Sequence, residues 1–236
     1  MRKRIAVLTS VIAGVIVAAC VFTIASCQGE SADTTQEAVV TLPPPKFESK
    51  MGVEEAIRRR RSVRSYADDA LTLRQVSALL WAAQGITDTA RGFRTAPSAG
   101  ALYPLEVYLV AGNVKSLTAG VYRYKPGDNA LVRAAKGDKR RDLFEAALSQ
   151  EAILQAPASI VVAGVYARTS RKYGDRAARY VHIEVGHAGQ NICLQAVALG
   201  LSTVTIGAFD DSRVKKLLNL AGDEAPLYII CVGKKK

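Results

Sequence analysis

The stretch from Ala177 to Leu199, AARYVHIEVGHAGQNICLQAVAL, decides how the rest of this 236-residue chain is read. It contains no proline and is stopped by Gly200, so it predicts one long helix of about six turns. Its small and apolar residues, among them Val181, Val185, Ala188, Gly189, Ile192, Cys193, Ala196 and Val197, cover most of the circumference. A helix that is apolar nearly all round is expected to be buried nearly all round. Two placements satisfy that, a central core helix and a helix in a subunit interface, and the pattern serves both.

Working outward, the apolar run Ala158 to Tyr166, bounded by Pro157, suits a central buried strand. Beyond the long helix, Leu201 to Ile206 and Leu227 to Val232 read as strands, with a helix from Ser212 to Leu220 between them. Upstream, Leu105 to Ala111, Val121 to Tyr124 and Leu131 to Ala134 are short β-type segments, and Lys125-Pro126-Gly127-Asp128-Asn129 turns the chain between the last two. A helical stretch covers Lys139 to Leu154. Two helices open the domain, Val53 to Arg61 and Leu73 to Gln84, the second with Thr72 as N-cap and Gly85 just past its end. The order is α+β, a central mixed sheet flanked by helices, without the regular alternation of a doubly wound fold.

Composition agrees with one globular domain plus an N-terminal extension: 49% of residues are hydrophobic and 22% charged. Arg2, Lys3 and Arg4 precede a run from Ile5 to Ser26 that carries no ionisable side chain, the pattern of an export signal. Two sites have the lipoprotein-like order of an aliphatic residue, two small ones and Cys: Val17-Ala18-Ala19-Cys20 and Ile24-Ala25-Ser26-Cys27. The apolar run continues past Cys20 but gives way to Gln28-Gly29-Glu30-Ser31 after Cys27, so lipidation is expected at Cys27. An uncleaved transmembrane helix is the alternative. Either way the domain is expected to be exported and held at a membrane, on its extracytoplasmic face. Residues 28–50, rich in Ser, Thr, Glu and Pro, read as a tether, leaving 51–236 as the domain. Cys193 and Cys231 lie in apolar surroundings and read as small core residues, able to pair only if the fold brings them close.

The net charge of +11 suits acidic ligands or anionic headgroups; with no aromatic residues interleaved in the basic run, nucleic acid is not expected. The basic run Arg58-Arg59-Arg60-Arg61-Ser62-Val63-Arg64 ends a helix, and in extended chain Arg60, Ser62 and Arg64 project to one side, a donor set suited to phosphate. A solvated charged face is the plainer reading of the same run. His182 and His187 stand about 140° apart on the long helix and do not converge, so no metal is expected and both read as buried, hydrogen-bonded histidines. No Gly-x-Ser-x-Gly nucleophile turn is present.

Five segments occur in a telling order: Arg60-Arg61-Ser62-Val63-Arg64, Leu79-Leu80-Trp81-Ala82-Ala83-Gln84-Gly85, Pro97-Ser98-Ala99-Gly100-Ala101-Leu102-Tyr103-Pro104, Gly186-His187-Ala188-Gly189-Gln190-Asn191 and Ile206-Gly207-Ala208-Phe209-Asp210-Asp211. Together they resemble the SagB-type dehydrogenases of the nitroreductase family, from Met51 to Lys236. The resemblance implies a homodimer with FMN at each side of its interface and a small-molecule redox substrate. It implies that Arg60, Ser62 and Arg64 hold the ribityl phosphate, with Lys234 near a further cation position. Pro97, Ser98 and Ala99 line the flavin of the partner subunit, Gln150 meets the pyrimidine edge, and Gly207 and Ala208 bring backbone N–H groups to the ring. Lys172-Tyr173 matches a pair implicated in catalysis in the azoline-oxidising members. A tyrosine beside an ammonium is suited to take the proton that must leave when a hydride departs from carbon. The functions open at this level are a hydride-transferring oxidoreductase, a flavin-holding module without turnover, and a basic surface lipoprotein.

Overall fold

The computed structural model describes residues 39–236. In chain order the strands are β1 (Val39–Thr41), β2 (Ile86–Asp88), β3 (Phe93–Arg94), β4 (Leu105–Ala111), β5 (Gly120–Lys125), β6 (Ala130–Lys136), β7 (Ala158–Val165), β8 (Ser202–Ile206) and β9 (Glu224–Gly233). The helices are α1 (Val53–Arg59), α2 (Leu73–Gln84), α3 (Arg140–Ala146), α4 (Ala152–Gln155), α5 (Tyr166–Tyr173), α6 (Ala177–Ala198) and α7 (Asp211–Leu218). Seven strands form one sheet in the order β1-β6-β5-β4-β7-β9-β8, and β2 and β3 make a separate hairpin. Every ladder between these strands is antiparallel. The mixed character expected from the sequence is confined to isolated parallel bridges, Ser62 with Thr203 and Leu71 with Val114.

Strand β7 sits between β4 and β9 and is buried along its whole length, which explains its unbroken run of small and β-branched residues. One face of the sheet meets α2 and α6 in a core that includes Leu80, Leu109, Ile160, Val181, Ile192 and Ile230. The other meets α3, α4 and α7 around Val110, Leu143, Ile153, Val161, Val214 and Ile229. Cys193 and Cys231 are both buried and free, so the fold uses them as core residues.

The start of α2 is fixed locally. The Thr72 hydroxyl accepts from the Gln75 N–H while the Gln75 side chain accepts from the Thr72 N–H, which satisfies two donors that a helix start leaves open. At its other end a Cβ on Gly85 would lie 2.1 Å from the Trp81 ring, so only glycine lets the chain leave there.

Four expectations are corrected. Residues 39–47 are part of the domain and not of a tether. Strand β1 pairs with β6, Leu42 is buried, the Pro43 carbonyl accepts from Ser77 and Asn129, and Phe47 meets the Trp81 ring edge-on at 4.9 Å. The segment is short and broken by Pro43-Pro44-Pro45, with a polar stretch before it, but it covers an open sheet edge and is ordered by that contact. The helical stretch from Lys139 to Leu154 is two helices, broken where Leu148 and Ser149 adopt left-handed backbone. Helix α6 is buried on one stripe only: Val181, Val185, Ala188, Ile192 and Ala196 face the core, while Ile183 is half exposed. His182 and His187, expected to be buried, are exposed on that helix.

Candidate functional site

The chain leaves α1 at Arg60 and runs extended beside the start of β8. The Val63 N–H donates to the Thr203 carbonyl at 2.9 Å, and Ser62 bridges to Thr203. The same segment meets the far end of β9, where the Ala67 N–H donates to the Lys234 carbonyl at 2.9 Å. Arg60 and Ser62 thereby border a cleft of about 120 Å³ between α6 and β8, whose walls include Gly186, Gly189, Gln190 and Thr205. Ser62 also borders a wider opening with Arg61, Arg64, Lys235 and Lys236. Among the described residues no carboxylate lines either space, and the donor set of three guanidinium groups, two ammonium groups and hydroxyls is matched to a phosphate ester.

Lys234, the expected further cation, points elsewhere: its ammonium lies 3.4 Å from Asp69. Lys235 and Lys236 line the opening instead. Strand β9 ends at Gly233, so the three lysines lie beyond it and which of them faces a ligand does not follow from a strand pattern in the sequence.

The other end of β8 carries the second group of candidates. The Gln150 amide donates to the Ala208 carbonyl at 3.2 Å, which joins the α3–α4 turn to the loop after β8. A Cβ on Gly207 would meet no atom within 4 Å, so its backbone faces open space. From Thr203 beside the basic strap to Gly207 is four strand steps, about 13 Å. The cleft has small-residue walls with a cation at its rim, and beyond it the loop after β8 offers an amide and open backbone, groups that a mononucleotide flavin requires. This donor set and these glycine-lined walls fit FMN.

The third group forms around the turn at residues 97–103. The N–H of Tyr103 donates to the Ser98 hydroxyl at 2.9 Å, and Gly100, Ala101 and Tyr103 all have positive φ. A Cβ on Gly100 would lie 3.0 Å from the Tyr173 hydroxyl and 3.1 Å from the Lys172 ammonium. Lys172 and Tyr173 end α5, and they pack directly on this turn. The Lys172 ammonium stands 5.6 Å from the centre of the Tyr173 ring, whose other side meets Tyr180 edge-on. Pro97, Ser98, Ala99, Lys172 and Tyr173 are thus one cluster. Left-handed non-glycine residues cost energy, and here they stand at Ala101 and Tyr103 in this turn and at Leu148 and Ser149 before Gln150. Both strained loops carry candidate site residues.

The sequence did not single out the polar side chains behind the turn. Glu184 is 3% exposed, and its carboxyl is pushed up to about 7 by burial, against smaller opposing effects of a hydrogen bond from Ser98 and the charge of Arg94. Arg94 lies over the Tyr103 ring at 4.7 Å and donates to the Gln84 amide oxygen at 2.9 Å. Burial lowers the affinity of that guanidinium for its proton. Nearby, Arg168 donates to the Tyr103 carbonyl and to Glu106. The Tyr166 hydroxyl shares a 2.6 Å hydrogen bond with His182 Nε2. A charged residue at a core-facing helical position, as Glu184 is, was the one signal available for this cluster.

A model of the nitroreductase family matches residues 57–234. The chain is 46% identical over 183 residues to a protein of Methanocaldococcus jannaschii named for nitroreductase, covering 78% of this chain and 91% of that one. It is 31% identical over 170 residues to the microcin B17-processing protein McbC of Escherichia coli, covering 69% of this chain and 62% of McbC. A nitroreductase-type crystal structure from Ralstonia eutropha superposes with a TM-score of 0.74 at 28% identity, over 85% of this chain and 90% of that one.

Proposed function

This chain belongs to the nitroreductase family, and from that premise we propose that it is an FMN-dependent oxidoreductase of the SagB type that oxidises a small heterocyclic or peptide-derived substrate. FMN is the cofactor that suits both this family and the donor set along β8. The observation that carries the reading is the disposition of that edge: the Arg60–Arg64 strap at its start and the Gln150–Ala208 contact at its end. The similarity to McbC, a protein named for processing microcin B17, supports the choice of substrate class.

When bound, FMN supplies a ring that takes up or returns a hydride. Arg60, Ser62 and Arg64, with Lys235 and Lys236 beside them, hold its phosphate. Gln150 offers an amide donor and acceptor to the pyrimidine edge, and the Gly207 and Ala208 backbone approaches the ring without a side chain in the way. Pro97, Ser98 and Ala99 cover the ring of the partner subunit, so Lys172 and Tyr173, packed on the same turn, act beside that ring. The Tyr173 phenolate, paired with the Lys172 ammonium, takes the proton from the substrate as the hydride leaves carbon and becomes the phenol.

The dimer this reading needs has an apolar face to form on. Val53 and Ile57 of α1 and Ile183 of α6 are more than half or about half exposed, at 57%, 56% and 50%. Between α1, α2 and α6 runs a groove of about 470 Å³ lined by Trp81, Ala82, Leu194 and Ala198. Purified full-length protein should be yellow and carry about one FMN per subunit of a dimer, counted by absorbance after denaturation and by light scattering. Colourless protein that takes up no added FMN overturns the assignment and leaves a basic surface protein on this fold.

We also propose that the chain is exported and anchored through Cys27, a residue outside the described region; among the described residues no helix is long and apolar enough to cross a membrane. Cys27→Ser should abolish metabolic labelling with a fatty acid, and Cys20→Ser should leave it intact. The reverse pattern moves the modified residue to Cys20, and no labelling in the parent favours a transmembrane helix.

A further inference from the structure

We infer that Arg168 is a positioning residue: its guanidinium fork fastens α5 to the turn at residues 97–103 and so sets where Lys172 and Tyr173 stand. This rests on the reading of Lys172 and Tyr173 as the pair that takes the substrate proton. Lys172 follows Arg168 by one helical turn, on the same face of α5. Over a helix of about 12 Å a shift at Arg168 is carried to the last turn, where that pair sits.

The two arms of the guanidinium engage different partners. Nη1 donates to the Tyr103 carbonyl at 2.9 Å, and Nη2 donates to Glu106 Oε1 at 2.5 Å. Glu106 is itself held, because its second oxygen lies 3.1 Å from Arg123 Nη2, which also lies 3.1 Å from Glu224 Oε1. Glu224 is buried and accepts on its remaining oxygen from the Tyr108 hydroxyl at 2.5 Å. Every carboxylate oxygen in this group has a partner. Its members stand on β4, β5 and β9, so Arg168 reaches the turn from a frame that belongs to the sheet. Buried ion pairs stabilise a fold little better than apolar residues of like volume; what this set supplies is direction.

At the receiving end Tyr103 has a φ of 46°, left-handed backbone that a residue with a side chain keeps only where its surroundings hold it. Its N–H donates to the Ser98 hydroxyl at 2.9 Å, its own hydroxyl accepts from the Arg94 N–H at 3.3 Å, and the Arg94 guanidinium lies over its ring. Those contacts come from the turn and from the strand just before it. The bond to its carbonyl comes from α5. A second tie joins the Val165 N–H to the Pro104 carbonyl at 2.9 Å, at the very start of that helix. One backbone bond leaves a helix free to pivot; the Arg168 bond, nearly a turn further on, removes that freedom. The pivot matters because Gly100, in the same turn, closes directly on the Lys172 ammonium and the Tyr173 hydroxyl.

The test uses the full chain with tyrosine carrying carbon-13 at Cζ, the Tyr173 resonance being the one that Tyr173→Phe removes. Alongside it are followed the melting temperature and the hydrogen exchange of the Ala101 and Tyr103 amides, both of which donate to Ser98. Arg168→Met should lose roughly tenfold in protection at those two amides, and its Tyr173 resonance should move. Its melting temperature should fall by several degrees. Arg168→Lys keeps a cation beside Glu106 but has no planar fork to serve two partners at once. It should regain most of the melting temperature and leave the amides and the resonance as in the Met variant. Val214→Ala, a core change on α7, should lower the melting temperature and move neither local signal. Parent-like amides and an unmoved Tyr173 resonance in Arg168→Met overturn the proposal. So does a Lys variant that restores both signals, which assigns the effect to charge, or a Val214→Ala variant that moves both, which makes it general loosening. None of these readings needs flavin or substrate. Colourless protein rejects the FMN assignment, and full turnover by Tyr173→Phe rejects the proton-taking pair, while the placement of that pair by Arg168 is decided by these signals alone.

Discussion

The double variant Arg60→Ala with Arg64→Ala should purify colourless, with FMN affinity reduced at least a hundredfold and the fold intact. Each charge-assisted hydrogen bond to a phosphate contributes about 1.5–3 kcal/mol, and about 2.7 kcal/mol is already a hundredfold in affinity. Stability should change little, because Arg64 is exposed, Arg60 only half-buried, and neither is held in a side-chain ion pair among the described residues. The strap itself is kept in register by backbone bonds from Val63 and Ala67 that the substitutions leave alone. Fluorescence titration of apoprotein with FMN, beside circular dichroism, measures both quantities. A double variant that binds FMN as tightly as the parent removes the strap from the site.

Tyr173→Phe should bind FMN normally and turn over its organic substrate roughly 10²–10⁴-fold more slowly, the usual worth of a positioned general base. The change removes one hydroxyl that faces Gly100 and keeps the ring packed on Tyr180. Reduction by dithionite needs no enzymic base and should proceed at the parent rate. The distinction matters because compartment and chemistry meet here. On an exported enzyme the pyridine nucleotides of the cytoplasm are scarce, so the substrate itself is expected to give the hydride, with electrons passed on to a quinone or to oxygen. Full turnover by Tyr173→Phe, or rapid reduction of the parent flavin by NADPH with no organic donor able to replace it, makes a nitro or quinone reductase the better reading.

The extent of an element was legible in the sequence wherever a periodic pattern and a stop residue coincided. Leu73–Gln84 between Thr72 and Gly85, Leu105–Ala111 and the extent of α6 follow from such signals. Segments ordered by a distant partner were not legible. Val39–Thr41 is three residues between a polar stretch and a proline run and becomes a strand only because β6 has a free edge, and the β2–β3 hairpin is too short to carry an alternation. Helix α5 is short and basic, and its signals, the spacing of Tyr166, Thr169 and Tyr173 and the stop at Gly174, were not read from the sequence. In the site, residues read from motifs fall into three clusters, two at the ends of β8 and one at the 97–103 turn. Burial of Glu184 was hidden, since α6 reads as apolar all round and the face that turns inward depends on the sheet beneath it.

The pairing of β1 with β6 also determines where the domain can be cut. A fragment begun at Met51, the boundary its composition suggests, would strip Val39, Val40 and Thr41 from Val132, Leu131 and Ala130 and empty the place of Leu42. The bare edge of β6 would then offer unpaired backbone groups beside apolar surface, a template for joining other chains edge to edge. Self-association and precipitation of such a fragment would come from that exposed edge rather than from the apolar run Ile5 to Ser26 it was designed to avoid, and a start ahead of Val39 keeps the edge covered.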